Sequence, residues 1–436
     1  MTKYTILGLA RSGIAAAYKL KDLGYQPFLS EYQPIDKVAN SDQIQTDFEC
    51  EFGGHTHRAL DCDVMVVSPG IADIPILAEA KAKEIELISE IELGFRLKAA
   101  DSKIIAVTGS NGKSTTVSLI AHILRTAGKN TVLAGNIGTA FTANPIEKPG
   151  IDFIVLELSS FQLEKISSFQ PEVAAILNIT PDHLNRYDSF EHYAITKFNI
   201  FKNLSQNEIA IYNIDDPVIG KYDAAILGNK MGFSVCDKSE IYLKDNAILH
   251  GENIYQIAEF SLQGPHNMAN CMAAILAVSP FDIPIDAIKK ALKTFQSLPH
   301  RLEFVREIGG IRFFNDSKAT NTDSVKYAIQ SFEKPIHLIM GGRGKGEDYR
   351  ILNPFIANHV SKLYLIGETI NEMREAFDGV CELVECSGFE SAILQAYKNA
   401  KSGESVVLSP ACTSYDMFSN FEKRGEKFIE IVRGIE

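Results

Sequence analysis

Ile104-Ile-Ala-Val107-Thr108-Gly-Ser-Asn-Gly112-Lys113-Ser-Thr115 decides how this chain is read. The first four residues form an apolar run that suits a buried strand, and from Thr116 to Ala127 apolar residues recur at helical spacing. A strand that passes through a Gly-rich turn into a helix is the setting of a phosphate loop. Glycines let backbone N–H groups face phosphate oxygens, and the helix N-terminus adds positive potential. Lys113 can neutralise the β- and γ-phosphates, and the Ser114 hydroxyl can ligate Mg²⁺. Thr108, Gly109, Ser110, Asn111, Gly112 and Thr115 complete the cradle, so ATP is the expected ligand. The common form of the loop has a glycine where this chain has Val107. A strand–helix turn with an incidental Gly-Lys-Ser is the alternative.

Upstream, residues 3–8 read as a strand, followed by the turn Gly8-Leu9-Ala10-Arg11-Ser12-Gly13 and an amphipathic helix ending near Gly24. A second strand, Pro27–Ser30, ends at Glu31. Glu31 stands about 20 residues past the turn, where a dinucleotide fold keeps its ribose-binding acid. Ala10 occupies the place of the fingerprint's second glycine, and its Cβ hinders close approach of a pyrophosphate. NAD, another nucleotide diphosphate and a plain structural turn all remain open from these residues. The buried run Val64–Val67 ends in Ser68-Pro69-Gly70, and residues 77–100 read as helical.

Downstream, Phe153–Leu156 is a buried strand that ends at Glu157, where an acid can reach a metal bound at the phosphate loop. Val173–Leu177 follows, then the loop Asn178-Ile-Thr-Pro-Asp182-His183-Leu-Asn185-Arg186, rich in groups that suit metal and phosphate. Lys197 lies in an apparent helix and shares a face with Tyr193, a spacing that by itself reads as a solvated lysine. Residues 231–262 look like short antiparallel strands. After Leu298-Pro299-His300-Arg301 a new strand–helix series begins. It carries three polar loops, each after a strand: Asp316-Ser-Lys318-Ala-Thr320-Asn321, Gly341-Gly-Arg343-Gly-Lys345-Gly346 and Ser409-Pro-Ala-Cys-Thr-Ser414. Loops beyond the carboxyl ends of parallel strands are where α/β sheets bind ligands. Two lysine-bearing loops there suit a ligand with carboxylates.

The length of 436 residues suggests about three domains at ~150 residues each. Boundaries near 93 and 299 divide the chain into 1–93, 94–299 and 300–436. The expected class is α/β throughout. A Rossmann-like N-terminal domain is followed by a central P-loop ATPase-like α/β domain with a mostly parallel sheet, and then by a Rossmann-like C-terminal domain. A net charge of −12 argues against general nucleic-acid binding, because phosphate backbones attract basic faces. No uncharged apolar run of ~18 residues is present, so no membrane insertion is expected. The start of the chain reads as strand–turn–helix and not as a signal peptide. Seven scattered cysteines without metal-site spacing suit a reduced, cytoplasmic protein.

These motifs, in this order, resemble the Mur ligase family. The resemblance rests on the phosphate loop, Gly135-Asn136-Ile137-Gly138, Glu157-Leu-Ser-Ser-Phe161-Gln162, Asp182-His183, Gly264-Pro-His266-Asn267 with Asn270, and His300-Arg301. Asp-Ser-Lys-Ala-Thr-Asn, Ser-Pro-Ala-Cys and the chain length point to the branch that adds D-glutamate. The resemblance implies a monomeric, ATP- and Mg²⁺-dependent amide ligase. It would join D-glutamate to UDP-N-acetylmuramoyl-L-alanine through an acyl phosphate, in peptidoglycan precursor synthesis. It further implies that Lys113 contacts the γ-phosphate, that Ser114 and Glu157 hold one Mg²⁺, and that His183 and a carbamylated Lys197 hold a second. Asn270, Arg301 and Asp316 would hold the nucleotide. Ala10, Arg11, Ser12, Glu31 and Ser68 would hold UDP, and Asn136 would face the muramoyl part. Lys318, Thr320, Lys345, Ser414 and Phe421 would line the D-glutamate pocket. A folylpolyglutamate-type ligase and a nucleotide-sensing protein without turnover are the rival readings.

Overall fold

In the computed structural model, which describes residues 2–182, 186–262, 264–296, 298–332 and 335–435, the strands gather into three sheets. The chain divides into two compact units, Met1–Ile179 with Glu191–Phe295, and Thr180–Phe190 with Gln296–Glu436. The first unit carries two of the sheets and the second unit the third.

The first sheet contains β1 (Tyr4–Leu7), β2 (Phe28–Glu31), β3 (Cys50–Phe52), β4 (Val64–Val67) and β5 (Glu86–Ile88), in the order β3-β2-β1-β4-β5. Every neighbouring pair is parallel. Chain order reverses between β1 and β4, the position at which such sheets open a ligand crevice. The turn after β1 and Ser68 after β4 meet there, with the Ser68 hydroxyl donating to Gly8 O at 2.8 Å. Residues 77–100 are not one helix. Helix Pro75–Ala82 stops at Glu84 in the left-handed region (φ 57), β5 intervenes, and Ser89 caps a second helix, Glu90–Leu97. The apolar positions of β5 face the core, and helical spacing over so short a run cannot be told from a strand.

The second sheet runs β14-β13-β12-β11-β10-β9-β6-β8-β7. Its members are β6 (Lys103–Thr108), β7 (Thr131–Gly135), β8 (Phe153–Glu157), β9 (Val173–Ile176), β10 (Ile209–Asn213), β11 (Asn229–Ser234), β12 (Ile241–Lys244), β13 (Ala247–His250) and β14 (Asn253–Gln256). The pairs β12/β13 and β13/β14 are antiparallel, as residues 231–262 predict, and the rest are parallel. Strand β6 is buried from Ile104 to Thr108: Ile105 and Val107 pack in one cluster with helix Lys113–Thr126 and helix Pro265–Val278, and Ile104, Ala106 and Thr108 on the opposite face are equally buried. A strand covered on both faces has to be apolar throughout. This is why the run before the phosphate loop shows no alternation.

The third sheet, in the second unit, runs β15-β16-β20-β17-β18-β19. It contains β15 (Glu303–Ile308), β16 (Ile311–Asn315), β17 (Ile336–Gly341), β18 (Val360–Ile366), β19 (Glu382–Glu385) and β20 (Ser405–Leu408). Only β15 is antiparallel to its neighbour, so His300-Arg301 leads into a hairpin before the parallel series begins. Strands β16, β20 and β17 are adjacent. The three polar loops of the sequence therefore emerge side by side, at the carboxyl ends of neighbouring strands.

Candidate active site

In the first unit the chain turns from β6 into helix Lys113–Thr126 through two glycines with positive φ, Gly109 (152°) and Gly112 (83°). A Cβ on Gly112 would stand 2.3 Å from Asn270 Oδ1, so only glycine lets the loop pass so close to helix Pro265–Val278. The loop is pinned from several sides. Ser110 N donates to Asn178 O (2.9 Å), Asn111 N to Asn178 Oδ1 (2.8 Å), and the Ser110 and Tyr193 hydroxyls meet at 2.9 Å. Thr108 Oγ1 donates to Leu158 O at 2.8 Å, and Thr116 Oγ1 reaches Asn270 Oδ1 at 3.3 Å. Ser114 and Thr115 are buried in the first helical turn.

Two lysines converge on this loop. Lys113 Nζ donates to Gly109 O and to Ser110 O, both at 2.8 Å. Lys197, on helix Phe190–Phe198, is 2% exposed, donates to Gly109 O at 3.0 Å, and lies over the Tyr193 ring at 4.8 Å. The solvated lysine suggested by spacing is thus a buried group against the phosphate loop. Glu157 pairs in register with Val107, the residue before Thr108, and is likewise buried. Its Oε1 accepts the Asn136 side-chain amide at 2.7 Å. The hydroxyl of Ser114 and the carboxylate of Glu157 are hard oxygen donors of the kind Mg²⁺ takes. Among the described residues, no group of three or more His, Cys, Asp and Glu could hold a metal ion. His183 lies outside the described residues. The rest of the Glu157 motif is architectural, since Ser159 and Gln162 form a reciprocal cap on helix Ser160–Leu163.

At the first turn, Glu31 Oε2 accepts Leu9 N at 2.6 Å and its Oε1 accepts Gln33 N at 2.9 Å. A Cβ on Gly13 would come 1.9 Å from Gly8 O, so the turn closes tightly on the helix that starts at Arg11. Ala10 is the extended residue before that helix, and Ser12 lies in its first turn. Arg11, expected to hold UDP, donates its terminal nitrogens to the carbonyls of Gly138 (2.8 Å), Gly135 (3.2 Å) and Asn136 (3.2 Å).

In the second unit the first and third of these loops are tied together by Arg424, which is wholly buried. Its guanidinium donates to Ser317 O (2.8 Å), Ser317 Oγ (3.0 Å), Cys412 O (3.0 Å) and Thr413 O (3.2 Å). Burial pushes its pKa down to about 10, which leaves it a cation at neutral pH. The sequence reading missed this residue. The signal was present, because Arg424 sits among Phe421, Phe428, Ile431 and Val432 on the inward stripe of helix Phe421–Gly434. Lys318 Nζ lies 5.2 Å from the Phe421 ring centre, and Lys345 Nζ lies 3.5 Å from Thr320 Oγ1 and 3.0 Å from Asp182 Oδ1. Four of the five residues assigned to the D-glutamate pocket thus come together in two pairs. Ser414 is buried on the third loop. Glu347 was also missed; it accepts Thr322 N and Oγ1 at 2.7 and 2.8 Å, and burial pushes its pKa up to about 7. Arg343, whose role the sequence left open, forms an exposed ion pair with Glu368.

Asp316 is buried beside Arg301, accepting Ser409 Oγ at 2.8 Å and Leu302 N at 3.2 Å. Both neighbours of Arg301, His300 and Leu302, have positive φ (63° and 43°), which bends the chain sharply at that point. Burial raises the Asp316 pKa from 3.8 to about 7. The folded protein therefore holds this proton more tightly than the unfolded chain does. The resulting stabilisation is complete below about pH 4 and is lost as pH rises through 7. Asp316→Asn, which cannot ionise, is expected to gain roughly 2–4 kcal/mol on the wild type between those limits, read from urea midpoints. A difference that does not change with pH would contradict the buried-carboxyl account.

Three family profiles match the chain: "MurD N-terminal domain" over residues 3–75, "Mur ligase middle domain" over 107–278, and "Mur ligase, glutamate ligase domain" over 300–412. The UDP-N-acetylmuramoylalanine–D-glutamate ligase of Salinibacter ruber is 38% identical over 450 residues, covering 99% of this chain and 97% of that one. Among solved structures, a pseudomurein peptide ligase type C from Methanothermus fervidus superposes with a TM-score of 0.64 at 17% identity, covering all of both chains. A MurF ligase from Thermotoga maritima, solved in complex with ADP, gives 0.60 at 16% identity, covering 93% of this chain and 95% of that one. At such identities the structural likeness speaks for the fold.

Proposed function

The chain belongs to the Mur ligase family, and on that footing we propose the following assignment of roles to its residues. The protein is an ATP-dependent ligase that adds D-glutamate to UDP-N-acetylmuramoyl-L-alanine in peptidoglycan synthesis. The observation that carries this reading is the phosphate loop on β6, with Glu157 in register beside it and Lys113 and Lys197 both at the Gly109 carbonyl.

A carboxylate is a poor electrophile, and both it and the triphosphate are anions. The reaction therefore needs screening charge and an activated leaving group. An oxygen of the substrate carboxylate attacks the γ-phosphorus, the bond to the β-phosphate oxygen breaks, and ADP leaves. The amine of D-glutamate, having lost a proton, then attacks the acyl carbon. The tetrahedral centre collapses by breaking its bond to the bridging oxygen, so the phosphate leaves with one of the two former carboxylate oxygens and the other remains as the amide carbonyl. Lys113 swings from its loop carbonyls to the γ-phosphate, where charge grows. Ser114 and Glu157 would hold one Mg²⁺, and His183 with a carbamylated Lys197 a second, and these ions would supply charge neutralisation. Asn270, Arg301 and Asp316 hold the nucleotide. Ala10, Ser12, Glu31 and Ser68 hold the uridine diphosphate, with Asn136 toward the muramoyl group. Lys318, Thr320, Lys345, Ser414 and Phe421 receive D-glutamate, the lysines against its carboxylates.

The domains are 1–93, 94–299 and 300–436, one around each sheet. The enzyme works as a monomer in the cytoplasm. All seven cysteines are free, and no described helix is long and apolar enough to cross a membrane. ADP release in the presence of UDP-N-acetylmuramoyl-L-alanine is expected with D-glutamate and not with L-glutamate. Stimulation by the L-isomer alone would reject the assignment of the amino acid.

A further inference from the structure

We propose that Arg11 is a positioning residue that fixes the loop Gly135–Gly138, so that Asn136 presents its amide to Glu157, and that it does not hold the diphosphate. The loop following β7 is built from unusual backbone. Gly135 and Gly138 have φ of 103° and 62°, and a Cβ on Gly135 would meet Glu157 O at 2.4 Å. Two of its amides are engaged, Gly135 N by Thr139 O (3.0 Å) and Asn136 N by Glu157 O (2.8 Å). The carbonyls of Gly135, Asn136 and Gly138 are held by a donor from another element.

That donor is Arg11, which bonds all three carbonyls from two terminal nitrogens. A rigid planar fork can span several acceptors at once, whereas a lysine ammonium acts as a point charge on a flexible stem. Helix Arg11–Asp22 is fastened to the following segment a second time, by the Lys19–Glu147 ion pair at 2.6 Å, whose lysine is buried. Glu90, buried at 2% exposure, accepts Thr142 N (2.6 Å) and Thr142 Oγ1 (2.7 Å). Burial raises its pKa, and the Arg11 charge partly opposes that rise. Arg11 thus lies between its own helix and the segment that carries Asn136, with donors directed at the loop. The significance of Asn136 and Glu157 for the reaction rests on the function proposed above. The fastening of the loop does not.

The test uses the full-length protein with Arg11→Met and Arg11→Lys. Without substrate, amide hydrogen exchange at Gly135 and Asn136 is expected to quicken by about tenfold or more in Arg11→Met, and to recover at most in part in Arg11→Lys. UDP affinity by calorimetry is expected to stay within about twofold of wild type. In the ligase assay, Arg11→Met should lower kcat more than it raises KM for the UDP-sugar, and this loss should largely disappear in an Asn136→Ala background. Unchanged exchange, a UDP affinity weaker by about tenfold, or additive losses with Asn136→Ala would each overturn the proposal. Faster exchange in a protein that forms no amide product would keep the fastening and remove the ligase reading instead.

Discussion

Replacing Lys113 by alanine is expected to lower turnover by roughly 10³-fold or more, because it removes a positive charge from the point where negative charge builds in the transition state. The ammonium lies on the carbonyls of Gly109 and Ser110, at 2.8 Å each. It therefore stands at the mouth of the loop and has only to exchange carbonyl oxygens for phosphate oxygens when ATP enters. The loop's backbone does not depend on it, since Asn178, Tyr193 and the closely packed Asn270 hold the turn. Lys113→Ala is accordingly expected to keep a near-wild-type urea midpoint while its single-turnover ADP formation collapses. Near-normal turnover in a folded variant would contradict the assigned role.

Lys197→Ala is expected to cost on the order of 10²-fold or more in turnover, and added formate or acetate is expected to restore part of it. Lys197 is buried against Gly109 O and the Tyr193 ring, and Tyr193 itself holds Ser110. Carbamylation would turn this cation into an oxygen donor directed at the phosphate loop. A short carboxylate entering the space left by the side chain can supply equivalent oxygens. A purely structural lysine would leave a variant that no carboxylate improves, with a lowered unfolding midpoint. That pattern would count against the metal-ligand role. Intact mass of the native protein offers a second readout, since a carbamate adds the mass of carbon dioxide and is lost in acid.

The fold was legible in the sequence wherever strands are buried on both faces. The runs at 104–107, 153–156 and 173–177 announce a parallel sheet because no residue in them can face water. Strands β3, β5, β7 and β15 lie at sheet edges and carry polar residues, and they left no such trace. The helix expected over 77–100 failed for the same reason, since three residues of β5 are too few to break a helical period visibly.

For the site, glycine and lysine at fixed spacing announced the phosphate loop, because backbone geometry near a phosphate tolerates few alternatives. What the sequence could not show was where the long side chains go. Lys197 reads as solvated and is buried. Nothing in the spacing of Arg11 told that its guanidinium bonds three carbonyls. Glu347 gave no signal, because its burial follows from how Thr322 and the loop after β17 meet. Arg424 could have been found, since a charged residue on the apolar stripe of an amphipathic helix must have an internal partner.

The central claim is that the triphosphate cradled at residues 108–115 activates the acid substrate before the amine attacks. The most direct measurement labels both carboxylate oxygens of UDP-N-acetylmuramoyl-L-alanine with oxygen-18 and follows the label into the phosphate released during D-glutamate ligation. Activation as an acyl phosphate predicts one labelled oxygen in each phosphate formed. Phosphate free of the label, with amide product still accumulating, would contradict it.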